Sequence, residues 1–405
     1  MSCPPKLADL LQPARAADLL AAGGLREHVA TDKAHIVAAC ARAVADAGGD
    51  ASAEARALFV PGRVEVLGKH TDYAGGRSLV AAVERGLCIV AVAGGGPVWR
   101  VLAPDVGGAC ETPISPDLQP TVGHWANYPM TVVRRLARNF PSARRGATVA
   151  YAGDLPADAG MSSSSVVVTA NFLAFSAVND LPATDEYRRE LRTPEDLAGY
   201  LGTIENGQSF DSLAGDRGVG TFGGSEDHVA ILCSRAGSLA QYSYCPVRRE
   251  RLIDMPGRLV FVIGFSGVAA AKTGLARELY NRASRLAQSA VAAWNHATGR
   301  RDACLADALR AGSGSQGAEA AAEGMRAVLA SAGQRDGFAS GELLERFEHF
   351  LAESEQIVPA AGDALAAGRV AEFARQVEIS QDCAERMLHN QTPETIGLVE
   401  QARES

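Results

Sequence analysis

The segment GDLPADAGMSSSSVVVTANFLAF, residues Gly153–Phe175, places a glycine and four consecutive serines directly before an apolar run. The β-branched stretch Ala147–Ala152 predicts a strand before it, and Val166–Val178 predicts a helix after it. A helix N-terminus presents unpaired backbone N–H groups and the positive end of the helix dipole, and both attract anions. The order strand, glycine, serines, helix therefore predicts a phosphate-binding loop.

A serine-rich helix cap is the alternative explanation, because serine is a preferred capping residue. One serine would be enough for a cap, whereas four in succession after Gly160 favour phosphate binding through backbone N–H groups and hydroxyls. The lysine-containing phosphate loop GxxxxGK[ST] is absent from the sequence.

A second polar cluster occupies Pro61–Gly76, which reads PGRVEVLGKHTDYAGG. Charged and polar side chains follow a short predicted strand and a glycine there. Such a cluster can hold a ligand with several hydroxyl groups, because each hydroxyl needs both donors and acceptors. A hydrogen-bonded turn with no ligand is the ordinary alternative.

Five segments in order resemble motifs of the GHMP kinase superfamily, and of galactokinases in particular. They are GRVEVLGKHTDY at 62–73, WANY at 125–128, PADAGMSSSS at 156–165, GSEDH at 224–228 and YNR at 280–282. The resemblance implies an ATP-dependent kinase with Mg²⁺ that phosphorylates the anomeric C1 hydroxyl of galactose or of a C6-modified relative such as a uronate. A sugar sensor without turnover and a GHMP kinase of a non-sugar alcohol are the alternatives.

The resemblance also implies a role for individual residues. The expected catalytic residues are Asp227 and Arg63. The expected sugar-binding residues are Lys69, His70, Asp72, Gly224 and Tyr280. The expected ATP-binding residues are Trp125, Gly160, Met161, Ser162, Ser163, Ser164 and Ser165, with Ser164 and Glu205 as magnesium ligands. Glu226 is expected to be structural, because in an extended segment it would point away from Asp227.

Strands and helices do not alternate regularly, which favours an α+β fold. Strands are predicted at Ala57–Val60, Arg63–Leu67, Leu87–Val92, Val229–Cys233 and Leu259–Ile263, and the first fifty residues and those after about 273 are predicted to be helical. The resemblance implies the GHMP kinase fold, with a ribosomal-protein-S5-domain-2-like N-terminal domain and a ferredoxin-like C-terminal domain. We place these domains at residues 1–250 and 251–405.

The sequence departs from the galactokinase pattern in three places. Lys69 stands where galactokinases carry a glutamate that reaches the C6 hydroxyl. His228 replaces the glutamine that follows the catalytic aspartate, and Ser225-Glu226 stand in place of the preceding Ile-Met. The third, glycine-rich motif is missing after a predicted helix at Thr395–Arg403. We therefore expect the C-terminal domain to be truncated, with exposed apolar surface and weak or no turnover.

Composition excludes several other classes of protein. A net charge of −8 without a lysine-rich block argues against nucleic-acid binding. The eight cysteines form no CxxC pair, so neither a disulfide framework nor a zinc ribbon is expected. No signal peptide and no membrane span is predicted, so we expect a cytoplasmic protein. The expected partner is a small-molecule sugar substrate, with no membrane partner, and the expected oligomeric state is a monomer.

Overall fold

The computed structural model describes residues 4–156, 160–264, 266, 268, 274–313 and 317–404. Two compact units are present, each built from two stretches of chain. The first unit comprises Met1–Arg63 and Ala82–Gly220, and the second comprises Val64–Ala81 and Thr221–Ser405. This division differs from the predicted boundary at residue 250, because residues 64–81 and 221–250 pair and pack within the second unit.

The first unit begins with three helices and continues through strands and helices in mixed order. Its elements are α1 (Leu7–Leu10), α2 (Pro13–Ala22), α3 (Glu27–Asp46), most of β1 (Ala55–Leu67) and β2 (Arg77–Ala93), β3 (Val98–Ala103), β4 (Gly108–Pro113), α4 (Asn127–Asn139), β5 (Ala147–Gly153), α5 (Ser163–Asn179), α6 (Asp185–Glu190) and α7 (Pro194–Asn206). Strand order is β4-β3-β5-β2, and β1 also pairs with β2. Strands β3 and β5 run parallel, whereas β3 and β4 are antiparallel, as are β2 and β5, with Ala91 opposite Val149.

Apolar residues on one face of this sheet pack against the N-terminal helices. Val37, Cys40 and Val44 recur at helical spacing along α3 and are fully buried. They share a core with Cys88 and Val90, which lie two residues apart on β2 and so point to the same face. This packing confirms the predicted helical start of the chain and the predicted strand at Leu87–Val92.

The second unit contains the remaining strands and most of the helices. Its elements are the start of β2, α8 (Glu226–Cys233), β6 (Ser238–Ser243), β7 (Arg248–Asp254), α9 (Gly274–Thr298), α10 (Leu305–Ser313), α11 (Gly317–Ser331), α12 (Ser340–Phe350), a π-helical stretch (Leu351–Ile357), α13 (Val358–Ala366), α14 (Val370–Cys383), a second π-helical stretch (Ala384–Leu388) and α15 (Pro393–Glu404). Residues 77–80 pair with β6, which pairs with β7, both antiparallel. None of the described helices in either unit combines the length and apolarity needed to cross a membrane.

Two strand predictions are wrong. Val229–Cys233 lies within helix α8, whose first turn carries Glu226 and Asp227. A short apolar run has the same pattern in a buried strand and in a buried helix, and acidic residues favour a helix N-terminus. Leu259–Ile263 has no regular structure, and Val260 and Val262 are 80% and 86% exposed.

Other predicted elements are confirmed. Ala147–Ala152 lies in β5, and the predicted helix at Val166–Val178 lies in α5. The predicted helix near the end of the sequence is α15, which has no buried residue. In the second unit the side chains of residues 260–263 are all exposed, but this stretch has no regular structure, so the predicted exposed edge of a truncated domain stays a prediction.

Helix α4 holds the segment that connects α7 to the end of the first unit. Its polar side chains bind backbone carbonyls along that segment: Asn127 to Val219, Arg135 to Gln208 and Asn139 to Ala214. Arg134 adds an ion pair with Asp216 at 2.8 Å, and both side chains are about 95% buried, with exposures of 5% and 4%. A glycine-containing segment without helix or strand is thereby fixed against a helix.

We expect Asp216→Ala to destabilise the first unit strongly. Removing one member of a buried ion pair leaves an uncompensated charge, which costs about 3–5 kcal/mol. Chemical unfolding followed by tryptophan fluorescence measures the change. Asp185→Ala is the control, because this carboxylate is 94% exposed and its substitution should leave the unfolding midpoint unchanged. Equal midpoints for the two variants would contradict the role of Asp216.

Candidate functional site

The glycine–serine loop of the first unit joins β5 to α5. Residues 157–159 of the predicted motif lie outside the described part of the chain. Gly160 has φ +69°, with no atom of the described residues within 4 Å of a Cβ placed there, and Ser162 adopts a left-handed conformation with φ +58°. A left-handed serine is strained, and such strain is typical of functional loops.

The N-terminus of α5 has no side-chain cap. Ser162 occupies the capping position, yet its hydroxyl makes no capping hydrogen bond, and no acidic residue lies in the first turn. The Ser162 Oγ is buried and has no hydrogen-bond partner among the described residues. The serines therefore do not act as an ordinary cap, and the helix N-terminus retains the capacity to bind an anion.

Arg63 contacts this loop within the same unit. Its Nη1 donates to the backbone carbonyl of Gly160 at 2.8 Å. The structure thus brings one predicted catalytic residue to the predicted phosphate loop, and the guanidinium adds positive charge beside the N-terminus of α5.

The remaining predicted ATP and magnesium residues also lie in the first unit. The Trp125 ring packs so closely on Gly108 that a Cβ there would lie 2.8 Å from the ring. Ser164 lies in the first turn of α5, and Glu205 is buried near the end of α7, a helix that packs against α5. One hydroxyl and one carboxylate are a sparse oxygen set of the kind that Mg²⁺ takes alongside phosphate oxygens, so these residues fit the predicted metal.

In the second unit, the predicted sugar motif meets the segment that contains Asp227. The Asp72 carboxylate accepts a hydrogen bond from the Glu226 backbone N–H at 3.2 Å. Gly224 approaches Asp72 so closely that a Cβ there would lie 2.3 Å from Oδ2, which excludes any larger residue. Because these contacts join residues 72 and 224–226, the structure brings together two motifs that are about 150 residues apart in the sequence.

Asp227 occupies the first turn of α8 and is partly exposed, whereas Glu226 is 5% exposed. We expected Glu226 to point away from Asp227 because we took the segment to be extended. The segment is helical, so that reason does not apply. The two carboxylates differ in their exposure to solvent instead: Glu226 is buried and Asp227 is partly exposed.

Asp72 titrates unusually. Burial raises the pKa of its carboxyl to about 6, against the opposing effect of backbone N–H groups from Glu226 and Tyr73. The negative charges of Asp227 and Glu65 raise this pKa further. A carboxyl of this kind changes its protonation near neutral pH.

Aromatic side chains form the other side of the motif. The His70 ring lies 5.0 Å from the ring of Tyr280, and its Nδ1 lies 3.0 Å from the Tyr73 hydroxyl. Tyr280 projects from α9, and a Cβ at Gly223 would lie 2.7 Å from its hydroxyl. His70, Tyr280 and the glycines before Asp227 are therefore neighbours, as the sequence resemblance implied.

Sequence reasoning missed two buried charged residues behind the motif. Glu353 accepts hydrogen bonds from the Gly68 backbone N–H at 2.7 Å and from the Ser380 hydroxyl at 2.9 Å. Arg346 donates to the His70 carbonyl, and both charged residues are at most 1% exposed. No local signal marked them in the sequence, because α12 carries several other charged residues that are not buried.

Lys69 has a partner of its own. Its Nζ donates to the Gln381 side-chain oxygen at 3.3 Å. Lys69 is thus held by α14, and its ammonium stays in the part of the second unit that contains His70 and Asp72.

Two family models match parts of the chain. Residues 49–93 match the model of the galactokinase galactose-binding signature, and residues 127–207 match that of the GHMP kinase N-terminal domain. The chain is 33% identical over 128 residues to a galactokinase of Actinobacillus pleuropneumoniae and 30% identical over 125 residues to one of Haemophilus influenzae. The two matches cover 32% and 31% of this chain, respectively, and 33% of each relative. The chain therefore spans about a third of the length of these curated relatives.

A solved structure extends the likeness over most of the chain. The galactokinase of Lactococcus lactis, crystallised with galactose, aligns with a TM-score of 0.68 and covers 90% of this chain and 83% of its own, at 18% identity. The fold is therefore the GHMP kinase fold, of the α+β class, as predicted. Within that class the chain resembles galactokinases, which confirms the recognition made from its five motifs.

The raised pKa of Asp72 predicts a pH-dependent contribution to stability. A buried carboxyl favours its protonated form, so this contribution is complete below the usual pKa of 3.8 and is lost as the pH rises through about 6. We expect the Tm of the wild type to fall relative to that of Asp72→Asn, which cannot ionise, between about pH 4 and pH 7.

Calorimetry of both proteins across that range measures the difference, and Asp185→Asn provides an exposed-carboxyl control that should follow the wild type. A Tm difference between the wild type and Asp72→Asn that is independent of pH would show that Asp72 has an ordinary pKa.

Proposed function

We propose that this protein is an ATP-dependent kinase that phosphorylates the anomeric C1 hydroxyl of galactose or of a C6-modified relative. The observation that carries the proposal is the contact of Asp72 with Gly224 and the Glu226 N–H, which joins the galactose-binding signature to the segment of Asp227. The relatives named galactokinase support the sugar class.

Asp227 is the proposed catalytic carboxylate. It is partly exposed at the start of α8, so it can accept the proton of the attacking hydroxyl or orient that hydroxyl. The buried Asp72 and the partly exposed His70 are proposed to bind the sugar hydroxyls, because together they offer an acceptor and a donor.

The first unit is proposed to bind the nucleotide. The uncapped N-terminus of α5 and its serines are suited to the phosphates, and Arg63 would balance negative charge on the transferred phosphoryl group. Ser164 and Glu205 would hold Mg²⁺, which when bound neutralises phosphate charge. Phosphoryl transfer depends chiefly on positioning and charge stabilisation, so this set of side chains is sufficient.

The first test is turnover. A panel of hexoses and uronates, assayed for ATP consumption and for the sugar 1-phosphate, should give product with galactose or a uronate. Binding of sugar and ATP without product would favour the sensor instead.

We expect Asp227→Asn to lower kcat by roughly 10²-fold or more while sugar and ATP affinities change little, because the amide cannot accept the proton. Steady-state kinetics and calorimetric titration measure the two effects separately. Glu226→Gln, one residue away, should be far milder. Full activity of Asp227→Asn would exclude this residue as the base.

Lys69 is proposed to select the substituent at C6. An ammonium can pair with a C6 carboxylate, and a desolvated charge-assisted hydrogen bond is worth about 1.5–3 kcal/mol, or ten- to a hundredfold in selectivity. The alternative is that Lys69 donates to the neutral C6 hydroxyl.

We expect Lys69→Glu to shift the ratio of kcat/KM for uronate over galactose toward galactose by at least about tenfold. Lys69→Met, which removes the charge but keeps much of the length, should give an intermediate ratio. A wild type that uses neutral hexoses exclusively would end the uronate proposal.

A further inference from the structure

Two cysteines that are distant in the sequence meet in the second unit. Cys245 follows β6, and Cys304 immediately precedes α10. A Cβ placed on Gly75 would lie 2.4 Å from the Cys304 Sγ and 3.5 Å from the Cys245 Cβ, so both side chains pack on the same glycine.

This thiol pair contacts the turn that carries Asp72. The Cys245 thiol lies 3.7 Å from the Asp72 carbonyl oxygen, to which it donates. Residues 72–74 form a single 3₁₀ turn that ends at Gly75, where φ is +78°. The Tyr244 N–H donates to the Gly76 carbonyl at 3.1 Å, so the backbone on both sides of this position is tied to the turn.

The pair is reachable from solvent on one side only. Cys245 is exposed and lines a cavity of about 680 Å³, together with Gly75, Arg77 and Arg310. Cys304 lies behind it and is 3% exposed. A small solute can therefore reach Cys245, while the second sulfur stays protected from larger reagents.

The two thiols differ in acidity. The neighbouring Cys245 lowers the pKa of the Cys304 thiol, whereas Cys304 and burial raise the pKa of Cys245. Cys304 is therefore the sulfur that is favoured as a thiolate, the nucleophilic form of cysteine.

We propose that Cys245 and Cys304 form an oxidation-sensitive pair that closes to a disulfide in the presence of hydrogen peroxide and loosens the turn of Asp72. In the first step a thiolate sulfur attacks the peroxide, the O–O bond breaks, and a sulfenic acid and hydroxide result. In the second step the other sulfur attacks the sulfenic sulfur, the S–S bond forms and the S–O bond breaks. The two sulfurs together lose two electrons, the peroxide gains them, and the thiol protons leave in two water molecules.

Closure of the disulfide changes what holds the turn. The Cys245 S–H no longer exists, so the Asp72 carbonyl loses that donor. Formation of the S–S bond also repositions the two side chains that pack against Gly75. The backbone at residues 72–75 must adjust, and if the proposed function holds, sugar binding weakens with it.

The test begins with the bond itself. Wild-type protein is treated with hydrogen peroxide, alkylated and digested, and the peptides are mapped by mass spectrometry. A Cys245–Cys304 cross-link should form and should be reversed by dithiothreitol. It should be absent from Cys245→Ser and Cys304→Ser but present in Cys110→Ser, the matched control at a cysteine in β4. Oxidation of Cys245 to higher acids without a cross-link would overturn the proposal.

The second measurement is hydrogen exchange of the peptide that contains residues 68–76. Oxidation should speed the exchange of this peptide in the wild type and in Cys110→Ser. In Cys245→Ser and in Cys304→Ser its exchange rate should not change. This readout requires no sugar, so it decides the proposal even if galactose does not bind. A cross-link without faster exchange would overturn the coupling to the turn.

The last measurement joins this proposal to the proposed function. The galactose Kd of the wild type should rise about tenfold on oxidation, because a small displacement of a binding group is costly, and dithiothreitol should restore it. Absence of galactose binding in the reduced protein would count against the proposed function alone. Unchanged affinity in a fully cross-linked protein would overturn the link between the cysteine pair and the sugar motif.

Discussion

The buried carboxylate of Asp72 is the constraint on which the second unit's candidate site depends. It accepts the Glu226 N–H and leaves no room for a side chain at Gly224. A charged group without water needs such donors, and these come from the segment that also contains Asp227. One hydrogen bond, from the Glu226 backbone N–H to the Asp72 carboxylate, therefore links the segment of the proposed base Asp227 to the proposed sugar-binding residue Asp72.

The motif is also held from behind by charges that face no solvent. Glu353 accepts from Gly68, and burial raises its pKa. Arg346 donates to the next part of the same loop, at His70. Buried ionisable groups are costly and contribute little net stability, but they are specific about geometry. Here their hydrogen bonds to the backbone at Gly68 and His70 favour one conformation of a loop that is rich in glycine and short polar residues.

The sequence predicted the parts of the structure that depend on local pattern. The strand–serine–helix order around residues 160–165 and the apolar α5 were predictable because helix N-termini and periodicity are local properties. Asp72 and the 224–227 segment were paired only by resemblance, since no local rule joins residues so distant. Helix α8 was missed because a five-residue apolar run fits either element. Arg346 and Glu353 were missed because most of their partners are far away in the sequence and several are backbone groups, and no local pattern marks such contacts.

The irregular stretch at residues 259–264 has a consequence for how the protein behaves in solution. Its sequence, LVFVIG, combines β-branched and aromatic residues without charge or proline, and its valines are almost fully exposed. Segments of this composition readily pair with identical segments of other molecules. Self-association should therefore increase steeply with protein concentration. The properties of the monomer are best measured in dilute samples.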